Sequence, residues 1–385
     1  MNNKKRKKIG IDARFYGPVG KGLGRYTEEV VNNLLEIDRE NDYVIFLVKE
    51  NFETFKSDNP RVKKVLADVR WYTLKEQILM PWYIWREKID LMHFHHFNIP
   101  ILCPTKFVVT IHDLILIKYP SLRSTRLSPF LYKIKNIAYR FALNFAVRRS
   151  KKIIAVSEFT KNDILDNFSI NPEKLVVSYE GVSKNLLGEN TKDENKSILE
   201  KYKIDKPYLL YVGNAYPHKN LEWLLDVFYK DCVGMNIDLV LVGKEDYFFK
   251  RLKEIKTKKE KNNISSGRVI FPGYVPDIEL RSLFQEAIAY VFPSKYEGFG
   301  IPPLEAMANK CPVISSNRAS MPEILGEAAL YFNPDNKGEF LNILDIILKN
   351  TDLREDLVKR GLKQIDKYSW LDCAKTTKKV LEESL

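Results

Sequence analysis

The chain has 385 residues, 45% of them hydrophobic and 29% charged, with 62 Lys and Arg against 50 Asp and Glu for a net charge of +12. This length exceeds a usual single core, so two domains are expected, and the composition is that of a soluble globular protein, not of a disordered or collagenous one. No apolar run is long enough to span a bilayer, no nucleic-acid motif accompanies the charge, and Cys103, Cys232, Cys311 and Cys373 fit no metal or redox spacing, which predicts a reduced, cytoplasmic setting.

In chain order, a basic run (Lys4, Lys5, Arg6, Lys7, Lys8) leads into an apolar stretch that Asp12 and Arg14 interrupt, which argues against a signal peptide. Residues 9–13 read as a strand, 15–24 as a glycine-rich loop and 25–35 as a helix. Strands follow at 43–48, 90–94 and 107–111. Between Asp113 and Glu158 there is no acidic residue, but there are ten basic ones: Lys118, Arg123, Arg126, Lys133, Lys135, Arg140, Arg148, Arg149, Lys151 and Lys152. Leu127, Phe130, Ile134, Ile137, Phe141 and Phe145 recur there every three or four residues, so most of the interval is expected to be one amphipathic helix. Its stripe can pack on its own domain while its charges attract an anionic membrane surface, at about 1 kcal/mol per Lys or Arg. A strand at 152–156, a helix at 158–167 and a strand at 174–177 complete the first series.

Residues 181–205 are polar and rich in Lys, Glu and Asn, reading as a linker and a short helix. A second series has strands at 208–212, 238–242, 268–271, 289–292 and 312–315, with helices between them. Residues 370–385 form an amphipathic helix. Alternating strands and helices imply parallel sheets covered by helices. The fold class is therefore α/β, with two doubly wound domains whose ligands bind at the carboxyl ends of the strands.

The most informative stretch is Ser294-Lys295-Tyr296-Glu297-Gly298-Phe299-Gly300-Ile301-Pro302-Pro303-Leu304-Glu305. It joins a buried strand to a helix that starts at the two prolines, where a missing N–H costs little. Gly298 and Gly300 let the backbone bend and approach a ligand, and amides at a helix start suit phosphate. Glu297 in the loop and Glu305 in the first helical turns would bracket a diphosphate, one near a sugar and one near ribose hydroxyls. In the loop after the strand at 208–212, Lys219 combines a cation with a helix start.

This stretch, with Glu-Ala-Met-Ala after it, resembles the Glu-x7-Glu signature of retaining GT-B glycosyltransferases of family 4, and the resemblance covers nearly the whole chain. It implies a GT-B fold: an acceptor-binding Rossmann-like domain at 1–180, a nucleotide-sugar-binding one at 181–367, and a helix at 368–385 crossing back to the first, with Trp370 as its anchor or as plain core. Residues 213–220 resemble the family's phosphate loop, and Lys219 matches its diphosphate lysine. Asn214 stands where the family often has Arg, a departure that removes one positive charge. Residues 17–26 resemble the N-terminal glycine loop, which implies donor contacts at Gly22 and Gly24 and an acceptor contact at Arg25. Residues 110–113 resemble the His-Asp segment of a mannosyltransferase-like subgroup, so His112 would touch the donor sugar and Asp113 the acceptor. Residues 93–98 resemble another stretch of that subgroup, with His93, His95 or His96 facing the ligand. Val275, in the turn at 273–276, would border the nucleobase.

The implied reaction is a retaining, metal-independent transfer of a hexose, mannose favoured, from a nucleotide sugar to a hydroxyl. His112, Lys219 and Glu297 would be catalytic, and the amides of Phe299, Gly300 and Ile301 would hold phosphate or sugar oxygens. No cofactor is implied beyond the co-substrate, GDP-mannose favoured over UDP- and dTDP-sugars. His93 and His95 share a strand face, yet no Cys or carboxylate is spaced to complete a metal site, and the chain has no Asp-x-Asp. The expected partners are a lipid-linked or oligosaccharide acceptor and, peripherally, the inner face of an anionic membrane, in cell-surface glycan synthesis. An epimerase or hydrolase on the same fold, or a non-catalytic glycan- or nucleotide-binding protein, are the alternatives.

Overall fold

The structure is a computed structural model that describes residues 6–119, 129–261 and 267–385. The described residues form two units: 6–119, 129–180 and 369–385 in the first, and 181–261 and 267–368 in the second. Lys4, Lys5, Arg123, Arg126 and Leu127 lie outside the described residues, as do the side chains of Phe130 and Lys135.

The first unit runs β1 (Lys8–Asp12), α1 (Lys21–Ile37), β2 (Asp42–Leu47), α2 (Lys49–Phe52), β3 (Val62–Leu66), α3 (Leu74–Arg86), β4 (Leu91–Phe94), β5 (Lys106–Ile111), α4 (Ile115–Lys118), α5 (Pro129–Arg149), β6 (Ile153–Ala155), α6 (Glu158–Asn167) and β7 (Leu175–Val177). Its seven parallel strands take the order β3-β2-β1-β4-β5-β6-β7. Apolar residues fill both faces, as a parallel sheet requires. On one face Val44, Phe46, Met92 and Val109 meet Met80 and Ile84 of α3, Leu143 and Val147 of α5 and Ile164 of α6. On the other, Ile9, Ile11 and Ile45 meet Val31, Leu34 and Leu35 of α1.

The second unit runs α7 (Lys192–Lys201), β8 (Tyr208–Val212), α8 (Leu221–Asp231), β9 (Asp238–Val242), α9 (Tyr247–Glu260), β10 (Val269–Gly273), α10 (Asp277–Gln285), β11 (Ala289–Phe292), α11 (Ile301–Ala308), β12 (Val313–Ser316), α12 (Met321–Leu325), β13 (Ala329–Phe332), α13 (Lys337–Lys349) and α14 (Thr351–Ile365). Six parallel strands take the order β10-β9-β8-β11-β12-β13. The chain then enters the first unit again as α15 (Trp370–Ser384), which packs along α1 and buries Ala374, Val380 and Leu381 in the core there. Two polar contacts fix it: Ser178 Oγ donates to the Cys373 carbonyl, and Lys106 Nζ to the Leu385 carbonyl.

Three features differ from what the sequence suggests. Helix α1 starts at Lys21, inside the stretch read as a loop. Glycine there serves packing: a Cβ on Gly24 would fall 1.9 Å from the Gly17 carbonyl oxygen, which presses the first turn against the chain before it. Helix α5 forms, but of its described stripe residues only Phe145 packs on the core and the others face outward. Ile134, Ile137 and Phe141 are exposed, while the face toward the sheet is Tyr139, Leu143, Ala146 and Val147. Two strands went unread. Edge strand β3 exposes Lys63, Lys64 and Leu66, so it shows no apolar run, and β13 is only four residues long. Among the described residues no helix is long and apolar enough to cross a membrane.

Candidate active site

Ligands of a parallel sheet bind at the carboxyl ends of its strands, where the direction of chain progression reverses. In the second unit that point lies between β8 and β11. The loops following these strands are residues 213–220 and 293–300, so the topology alone makes neighbours of the two stretches singled out from sequence.

Specific bonds hold these loops together. The His218 carbonyl accepts from the Lys295 amide at 2.7 Å and from Ser294 Oγ at 3.2 Å. Beside this staple, Lys219 Nζ sits 2.6 Å from Glu297 Oε1 and 2.8 Å from Oε2, with the side chains 11% and 10% exposed. Phe292 supplies an aromatic wall, its ring centroid 5.3 Å from the ammonium. An ammonium carries three N–H donors. Glu297 engages two of them, so a third can meet an anion while the pair stays closed. Burial, with the charge of Lys219 second, pulls the His218 imidazole down to about 4 and keeps it neutral near pH 7.

Lys219 closes a single 3-10 turn (Pro217–Lys219), and α8 begins after Asn220, whose φ of 61° suits an Asn. The loop carbonyl of Asn214 accepts from Tyr211 Oη at 2.7 Å, and Asn214 Oδ1 accepts from the Tyr216 amide at 3.4 Å. Asn214 therefore shapes the loop and brings no charge to it.

Glu305 lies on α11, four residues on from Ile301, and is buried. The start of α11 is poorer in donors than a helix start usually is. Pro302 and Pro303 occupy its first turn and carry no N–H, so any backbone donors to a ligand here would have to come from the residues before them. Gly300 has φ 97°, and a Cβ there would lie 2.3 Å from Met321 Cε. Ser320, fully buried, donates to the carbonyls of Glu297 (3.1 Å) and Phe299 (3.0 Å), which fixes the turn between them. Val275 is buried in the loop between β10 and α10, next to the exposed Tyr274.

In the first unit the reversal lies between β1 and β4, and the loops following them hold the glycine-rich and histidine-rich stretches. A Cβ on Gly22 would meet nothing within 4 Å, so its backbone is uncovered, in contrast to Gly24. Arg25 follows on α1, half-buried. His112 directly follows β5. Its Nε2 is 3.0 Å from the His95 carbonyl and its Nδ1 3.2 Å from Glu180 Oε1. Both ring nitrogens of His112 therefore already have an oxygen partner within the first unit. Tyr26 packs edge-on against His112 at 4.5 Å and His95 at 5.5 Å, with Trp370 of α15 at 5.9 Å. Asp113 Oδ1 accepts from the Ile115 amide at 2.9 Å and starts α4.

The three clustered histidines do different things. His93 and His95 are buried and bonded to each other, Nδ1 to Nε2, at 3.2 Å, and His93 Nε2 meets Thr110 Oγ1 at 3.0 Å. His96 is less buried and packs on Phe15 and Phe97. Burial, aided by the charge of His112, pulls His95 and His96 down to about 3, and His93 well below its usual range. Among the described residues, no three His, Cys, Asp or Glu side chains come together as a metal-binding group.

Sequence reading passed over Tyr211, Glu180 and Ser320. Glu180 had one signal, its place just past β7 at the sheet's carboxyl edge. Ser320 with Glu323 spells a capping box, but the hydroxyl caps nothing and holds the loop instead.

Two family models match. The one described as Glycosyltransferase Family 4 matches residues 20–186, and Glycosyl transferases group 1 matches residues 192–364. The chain is 28% identical over 362 residues to O-antigen chain mannosyltransferase RfbU of Salmonella typhimurium, covering 92% of this chain and 94% of that protein. It is 27% identical over 376 residues to O-antigen chain mannosyltransferase B of Escherichia coli, with the same coverage. Among solved structures, sucrose-phosphate synthase from Thermosynechococcus elongatus superposes with a TM-score of 0.76 at 17% identity, over 98% of this chain and 99% of that one. At that identity the likeness speaks for the fold.

Proposed function

We propose that this chain, which belongs to the glycosyltransferases of group 1 and family 4, moves a mannosyl residue from GDP-mannose to a hydroxyl of a lipid-linked or oligosaccharide acceptor in cell-surface glycan assembly. The observation that carries the reading is the Lys219–Glu297 pair at the strand-order reversal of the second unit. Likeness over 92% of the chain to two proteins named O-antigen mannosyltransferases supports the choice of sugar and acceptor class.

The chemistry follows from charge. As the glycosidic bond breaks, negative charge grows on the leaving diphosphate, and donors already aimed at it lower the barrier. Lys219 and the amides of Gly298 to Ile301 are such donors, and the transfer needs no metal. Glu305 holds the ribose hydroxyls. Glu297 keeps acceptor capacity for the sugar's distal hydroxyls, and because both its oxygens face an ammonium it is a weak nucleophile. That favours a front-face path with retention, the leaving phosphate acting as base, over a covalent glycosyl-enzyme. In the first unit His112 would reach a sugar hydroxyl by giving up one of its two present partners, and Arg25 and Asp113 serve the acceptor. Helix α5, with no acidic residue and with Ile134, Ile137 and Phe141 outward, contacts the inner face of an anionic membrane.

The test is thermal stabilisation by GDP-, UDP- and dTDP-sugars in the presence of EDTA, followed by transfer to diphosphate-lipid-linked glycans and NMR assignment of the product anomer. Stabilisation by GDP-mannose and an α-linked product are expected. Stabilisation by UDP-sugars alone would overturn the donor, free sugar without glycoside would overturn the transfer, and an inverted anomer would overturn retention.

A further inference from the structure

The first unit carries a second apolar surface that no catalytic role uses. Helix α3 buries Glu76, Met80 and Ile84. On its outward side Leu74 is 84% exposed, Ile78 71%, Trp82 46% and Trp85 68%. At 100° per residue these four fall on one stripe. Leu102, 76% exposed, lies in a loop tied to the helix by the Ile101 amide, which donates to Gln77 Oε1 at 2.9 Å. So large a contiguous apolar face, with two tryptophans, marks an interaction surface.

The charges around it select the partner. Lys75 and Arg86 run along the stripe, with Lys88 just beyond, and the Arg86 guanidinium lies 4.7 Å from the Trp82 ring centroid. Within α3 the one carboxylate, Glu76, is turned inward to Arg14 and Asn98, and Glu87, just past its end, is buried between Arg86, 3.2 Å away, and Lys63. A second copy docking through the same patch would, by two-fold symmetry, bring like charges together. An anionic bilayer instead offers headgroup charge to the cations and a boundary layer at which tryptophan is favoured. The inward sides of α3 and α5 share one core on the same sheet face, so their outward stripes are on the same side of the unit.

We propose that α3 is the inserting element of a lipid-docking face: Leu74, Ile78, Trp82 and Trp85 enter the boundary between headgroups and acyl chains of an anionic membrane, with Lys75 and Arg86 on phosphate-bearing headgroups. The proposal rests on the membrane contact inferred above for α5 and adds the element that supplies its apolar grip.

The experiment is flotation of the full chain with vesicles of phosphatidylcholine alone or mixed with phosphatidylglycerol, together with tryptophan emission. The parent binds the mixed vesicles with a blue shift. W82S/W85S binds about tenfold more weakly or worse and loses most of the shift, while its melting temperature and its transfer to a water-soluble acceptor analogue stay unchanged. If that variant binds like the parent while K133S/R140S does not bind, the α3 proposal falls and the α5 contact stands. If the parent binds neither vesicle, both fall. If sedimentation shows that W82S/W85S breaks a dimer and leaves vesicle binding unchanged, the surface joins copies of the chain and the proposal is overturned.

Discussion

Across 78 residues of sequence, the ammonium of Lys219 meets both carboxylate oxygens of Glu297. Removing either partner strands a nearly buried charge, so Lys219→Met and Glu297→Gln should each cost about 3 kcal/mol. The double variant should cost less than the sum, with a coupling of about 1–3 kcal/mol. Urea denaturation of the four proteins in the cycle measures this directly, and additive costs would show that the pair is idle.

Glu305 and Lys219 should separate kinetically. With Glu305 on the ribose as proposed, Glu305→Ala removes a contact made equally in the ground and transition states, so donor KM should rise about tenfold at similar kcat. Lys219→Ala removes a donor to charge that grows only as the bond breaks, so kcat should fall about 100-fold. Initial-rate kinetics with varied donor test both; if neither parameter moves, the site is misassigned.

Gly300→Ala asks an L-residue to hold φ 97° with its Cβ against Met321 Cε. Strain and overpacking together should lower stability by about 2–3 kcal/mol and disturb the amides of the turn. A melting curve with and without nucleotide sugar should show a lower midpoint and a smaller ligand shift.

Glu180→Ala removes the acceptor at His112 Nδ1 and leaves the ring held only by the His95 carbonyl. Loss of orientation should lower kcat about 10- to 100-fold with donor KM nearly unchanged. An equal loss of thermal stability would mark Glu180 as merely structural.

Four imidazoles are held neutral by burial: His95 and His96 at about 3, His218 at about 4, and His93 well below its ordinary 6.5. The unfolded chain binds protons at these groups near 6.5 and the folded one does not, so stability rises with pH in this window. It should be full above about 6.5 and fall steadily down to about 4. Midpoints measured from pH 7.5 to 4.5 should drop, and His218→Gln should flatten the drop.

The candidate site in the second unit was legible as a neighbourhood because most of its residues are contiguous. Glu297, Gly300 and Glu305 sit on one strand–turn–helix, and Lys219 follows the strand that neighbours it. What the sequence hid is whatever depends on a partner far along the chain. The hydroxyl of Ser320 reaches back 23 residues to Glu297, and Glu180 reaches 68 residues to His112. Local pattern alone placed the start of α1 too late, because Gly24 sits inside its first turns in close contact with the Gly17 carbonyl. It also misjudged α5, where a 3.6-residue stripe says that one face is apolar but not which face the sheet receives. In β3 two lysines on an edge strand erased the apolar signal altogether.

Helix α15 has a consequence for how the molecule is made. Its residues 370–384 complete the core of the first unit beside α1, yet they leave the ribosome only after residues 181–368 have all been translated. During synthesis the second unit can therefore finish before the first. Until then Val31, Leu34 and Leu35 on the α1 side lack part of their cover, and a nascent chain stalled short of residue 370 presents that apolar stripe to chaperones and proteases.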